Sequence, residues 1–151
     1  MAQESFDPST HVAKFYFEQR MMWHEKYLKS IGGNLYTQEL TIEIRDFQGN
    51  VVEIFGFSLE DKMNELLPLV HWEDFEKLRD FEPWLAPHQR GYRDGWGYRF
   101  VCMNESGNPM ISSGLEVLFE KGYEPADERL LRWIKNRYAK RRELSEYGML
   151  W

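Results

Sequence analysis

The chain has 151 residues, with 19 Lys and Arg against 25 Asp and Glu, and this length suits one α+β domain over residues 1–151 that buries a core without a metal or disulfide staple. The only cysteine, Cys102, excludes an intrachain disulfide and favours a reducing, cytoplasmic setting. No run nears the roughly 18 apolar residues of a membrane-spanning helix, and the N-terminus lacks a signal peptide's basic and apolar regions.

Charge is unevenly placed. From Arg129 to Arg142 there are seven basic residues and no acidic one, so the remainder holds 12 basic against 25 acidic side chains. That field opposes nucleic acid and favours a basic protein partner.

Asp7-Pro8 has the form of a helix start, with Asp7 as cap and Pro8 in the first turn. Val12, Phe15, Tyr16, Met22, Trp23 and Tyr27 follow at spacings of three and four. They predict a helix that stops near Ser30, before Gly32-Gly33. The next segment alternates. Tyr36, Leu40, Ile42 and Ile44 point one way and Thr37, Glu39, Thr41, Glu43 and Arg45 the other, which predicts a strand with one wet face. Gln48-Gly49-Asn50 turns the chain into a second strand, Val51 to Phe57. Its Val51, Glu53, Phe55 and Phe57 face is too apolar for solvent alone, so the strand is either central or binds something.

A short helix is expected from Ser58 to Leu67, a break at Pro68, and a second helix over Trp72 to Phe81. Glu82 to Gly95, with two prolines and two glycines, is irregular. Trp96 to Phe119 predicts another hairpin, turning at Asn104 to Asn108, with Tyr98, Phe100 and Cys102 on one face. The last helix opens at Ala126, points Leu130, Leu131, Ile134 and Tyr138 inward, and ends near Ser145. The expected architecture is a four-stranded, mainly antiparallel sheet with helices packed on one face.

Chemistry has little hold on this sequence. His11, His24, His71 and His88 form no metal-binding spacing, and no phosphate-binding glycine motif occurs. No catalytic residue, metal ligand or cofactor is therefore assigned. Function is expected in protein binding, through Trp84, Arg90, Tyr92, Arg93 and Asp94 of the irregular segment, with Glu53 and Phe55 of the earlier strand. An inhibitor or immunity-type protein that neutralises a basic partner fits this charge and size. A small enzyme or ligand-binding domain built on His88, Arg90, Arg93 and Asp94 is the alternative. Nucleic-acid binding through the basic last helix is a third reading, disfavoured by the acidic body, and a homodimer is compatible with all of them.

Overall fold

A computed structural model describes residues 4–19, 26–76, 98–107, 109–112 and 126–138, with 141, 144 and 147. Its strands are β1 (Lys14–Gln19), β2 (Tyr27–Asn34), β3 (Glu39–Asp46), β4 (Val51–Ser58), β5 (Tyr98–Met103) and a three-residue β6 (Met110–Ser112). They form one antiparallel sheet in the order β4-β3-β2-β1-β5-β6. The described helices are α1 (Met63–Leu66), α2 (Trp72–Glu76) and α3 (Ala126–Tyr138). The four-stranded expectation is corrected: β1 and the first half of β2 occupy the segment read as the first helix, and β2 runs on past its expected stop near Ser30.

The reason lies in pairing rather than propensity. Phe15, Phe17 and Gln19 are buried while Lys14 and Glu18 are exposed, a period of two that the helical spacing of the same aromatics concealed. β1 has a partner on each side. Phe17 lies opposite Ile31 of β2 and Phe100 of β5, and all three are fully buried. The cap at Asp7 is real but serves a single turn. The Asp7 carboxylate accepts hydrogen bonds from the Ser9 amide and hydroxyl, and its carbonyl accepts from the amides of Thr10 and His11.

Gly32-Gly33, read as a helix stop, lies inside β2. Gly33 faces Phe15, and a Cβ at Gly33 would stand 2.2 Å from that ring. Tyr36, expected to face the core, sits in the β2–β3 turn and is exposed. That turn runs through Gln38 in a left-handed conformation, φ 58°. Asn34 receives the amides of Tyr36 and Thr37 on its side-chain oxygen there.

The β3–β4 hairpin turns where expected. Asp46 Oδ1 accepts the amides of Gln48 and Asn50, each at 2.9 Å, and Gly49 takes φ 85°. These bonds hold the Asp46 carboxyl below its ordinary value, the Asn50 amide contributing most. The β5–β6 hairpin also forms, with Tyr98, Phe100 and Cys102 buried and Met110 opposite Cys102.

Leu59 to Leu69 alternates 3-10 turns with α1. Pro68 sits in the turn at Leu67–Leu69, after which α2 starts at Trp72. The Ser58 hydroxyl accepts the Glu60 amide at 3.2 Å instead of forming the expected capping box. α3 carries the inward stripe read from the sequence: Leu130, Leu131, Ile134 and Tyr138 are all buried. It ends at Tyr138, short of Ser145, and Tyr138 and Arg141 carbonyls then accept the amides of Arg141 and Leu144. α2 and α3 lie over the same sheet face, where Phe75 meets Phe100 at 5.6 Å and Tyr138 meets Phe57 at 4.9 Å between ring centroids.

Candidate functional site

Trp84, His88, Arg90, Tyr92, Arg93 and Asp94 lie outside the described residues. Glu53 and Phe55 are on β4, which is an edge strand, not a central one, among the described residues. Phe55 lies opposite buried Ile42 and faces the core side, half-buried, with its ring 6.0 Å from Tyr147. Glu53, opposite Ile44, is exposed. The strand's solvent-facing apolar residues are others: Val51, Val52 and Ile54 are 51%, 42% and 55% exposed.

Two features shape this edge. A register shift between Ile44 and Arg45 leaves Val52 as an extra residue on β4, a bulge that twists the start of the strand. From Glu53 to Ser58 the pairing with β3 is regular, so the outer side of that stretch presents main-chain groups in strand register. Phe47, 47% exposed in the adjoining turn, extends the apolar strip. The surroundings are acidic: Glu39, Glu43, Asp46 and Glu53 share the hairpin with one cation, Arg45, which is bound to Glu43. Arg141 lies over the Phe57 ring, 5.2 Å from its centroid.

The basic last helix spends charge on its own body. Arg129 pairs with Asp74 of α2 at 3.7 Å, and Arg137 pairs with Glu65 of α1. Arg137 also lies over the Trp133 ring, 5.6 Å from its centroid. Inside the packing, the Tyr98 hydroxyl donates to Asp127 Oδ2 at 3.0 Å, with both groups buried. Burial first, then the neighbouring Asp127 and Glu128, pushes the Tyr98 phenol well above the usual tyrosine value.

A second locus was not visible in the sequence. His11 and His71 form an isolated antiparallel bridge. Hydrogen bonds flank it, from the Val12 amide to the Val70 carbonyl and from the Trp72 amide to the Thr10 carbonyl. The two histidines are thus a non-hydrogen-bonded pair, the closer of the two antiparallel kinds. Their rings meet edge to face at 5.3 Å, and Phe6 stacks on His11.

Glu4 completes the group. The Asp7 amide donates to His11 Nδ1 at 2.9 Å, so the ring hydrogen is on Nε2, which donates to Glu4 Oε1 at 2.7 Å. That bond is the main reason the Glu4 carboxyl sits below its ordinary value. The same oxygen lies 2.5 Å from His71 Nε2, a buried atom. All three side chains line a pocket of about 350 Å³ together with Ser9, Thr10, Trp72, Glu73 and Glu76. His11 lies seven positions after Glu4 and His71 sixty positions after His11, so no local spacing announces the cluster.

No described helix is long and apolar enough to cross a membrane. No family model, curated protein or solved structure matches the chain.

Proposed function

We propose that this chain is a non-enzymatic protein-binding domain that takes an extended segment of a basic partner along β4. One observation carries the reading. Of the five large apolar side chains exposed among the described residues, four (Phe47, Val51, Val52 and Ile54) lie on the acidic β3–β4 hairpin, along a sheet edge. An added strand gains main-chain hydrogen bonds from such an edge, and side chains at alternate positions supply specificity. Self-pairing of the same edge would bring Glu53 and its acidic neighbours together, which like charge opposes. A basic segment meets the opposite field and is steered towards it. Covering a basic surface in this way is how an inhibitor or immunity-type protein acts, and the lone thiol of Cys102 suits a cytoplasmic setting.

The test uses the full chain and Ile54→Lys as paired baits in lysate, followed by titration of the purified partner. Ile54 is exposed, so the substitution should leave stability within about 0.5 kcal/mol. Wild type should retain a basic protein that salt releases, and Ile54→Lys should weaken binding about tenfold or more. Amides of β4 should gain exchange protection in the complex. Equal binding by Ile54→Lys, or a wild-type dimer that the substitution splits, would overturn the reading.

A further inference from the structure

We propose that Glu4, His11 and His71 form a binding site for a divalent transition-metal ion of the zinc class. The three offer one donor atom each, all within 4.8 Å of one another. Two imidazoles and one carboxylate suit such an ion, and three protein ligands leave a fourth position for water or a ligand. The pocket lined by the same three residues gives that position room, with Glu73, Glu76, Ser9 and Thr10 at its walls.

Two further observations point to a cation. First, the arrangement is built by backbone: the bridge at His11 and His71 fixes both imidazoles on facing chain segments, and His11 is almost fully buried. Second, one carboxylate oxygen, Glu4 Oε1, stands 2.7 Å from His11 Nε2 and 2.5 Å from His71 Nε2, so the three donor atoms already converge on one point. A cation placed at that point would be met by both imidazoles and the carboxylate at once. Donor atoms around tetrahedral zinc stand roughly 3.3 Å apart, given metal–ligand distances of about 2.0–2.2 Å. Ion binding therefore opens each Glu4–imidazole contact by about half an ångström or more. Glu4, in the exposed segment before Asp7, is the ligand able to give.

Coordination also moves a hydrogen. His11 now carries its ring hydrogen on Nε2 and accepts the Asp7 amide on Nδ1. To bind through Nε2, the ring shifts that hydrogen to Nδ1, and the Asp7 amide must turn away. Asp7 is exposed, so the peptide has space to do so. The backbone amide of Asp7 thereby reports specific loading of this site, which adsorption of zinc elsewhere would not move.

The experiment titrates chelator-treated full-length protein with zinc sulfate, followed by calorimetry and amide NMR. Wild type should bind one ion per chain at this site, with the Asp7 amide signal shifting in step, and its melting temperature should rise with zinc concentration. His71→Ala should lose at least the roughly 100-fold that marks the upper range for removing an outer-shell partner. Glu4→Gln keeps an acceptor for His11 and guards against misfolding as an explanation; it should lose affinity comparably. His24→Ala should bind as wild type does. Absence of zinc binding by the wild type, an unmoved Asp7 amide at saturation, or undiminished affinity in folded Glu4→Gln would each overturn the assignment.

Discussion

Gly33 and Phe15 compete for one volume. Phe15 lies directly opposite Gly33 and fills the space above it, so a methyl group at 33 meets the ring at 2.2 Å. Gly33→Ala is expected to lower stability by about 1–3 kcal/mol, read as a shift of the urea midpoint. Gly56, on the edge strand, has nothing within 4 Å of a Cβ, so Gly56→Ala should be neutral or stabilising by up to about 1 kcal/mol. In the sequence, Gly32-Gly33 reads as a helix stop, whereas both lie inside β2. The role of Gly33, making room for a cross-strand aromatic, was not legible, because it depends on which strand arrives beside it. The histidine cluster was hidden for the same reason. Tyr98 gives a residue-scale pH prediction. Its phenol is raised, so the stability it contributes is complete below about pH 10, where the unfolded tyrosine also holds its proton. Above that, the unfolded chain releases the proton first and stability declines towards the folded value. Urea unfolding from about pH 9 to 11 should show a steeper loss in wild type than in Tyr98→Phe. The substitution itself should cost about 1–3 kcal/mol at neutral pH through the buried Asp127 bond.

At the scale of elements, segments differ in how far their sequence decides them. α3 was readable because its apolar stripe and its basic remainder agree with a period of 3.6. The hairpins at Gly49 and Gly107 were readable because both glycines take positive φ, 85° and 79°, in short turns between alternating runs. β1 was not readable, since Phe15, Tyr16 and Val12 satisfy a helical spacing while Phe15 and Phe17 satisfy an alternating one. Having a partner strand on both sides settled it, and no local count contains that. What holds α3 in place follows from its burial. Ile134 is wholly buried and Arg137 is exposed beside Glu65. Ile134→Ala should cost about 2–5 kcal/mol, while Arg137→Ala should cost at most about 1. Chemical denaturation of the two variants checks this, and a larger loss for Arg137→Ala would assign the helix's anchoring to its charges.

Across the whole molecule, the strand order gives meaning to a pattern that the sequence left ambiguous. The apolar excess read on β4 was compatible with a central strand or with an exposed face that binds something; among the described residues the order β4-β3-β2-β1-β5-β6 places β4 at the edge, with Phe55 and Phe57 packed against the core and Val51, Val52 and Ile54 exposed. The uneven charge was equally visible, but which side faced outward was not. Arg129 and Arg137 turn part of the basic helix towards Asp74 and Glu65, while the β3–β4 hairpin keeps an acidic surface. Cys102 carries a consequence of its own. It is 1% exposed on β5, flanked across the sheet by Phe15 and Met110, and the chain contains no second thiol. A thiol-specific reagent can reach it only when the packing around Cys102 opens, because the thiolate must meet solvent to react. When reclosing outruns the reagent, the labelling rate is the open fraction multiplied by the rate for an exposed thiol. The protein thus carries an intrinsic clock for the opening of its own core, readable by mass spectrometry without any engineered label.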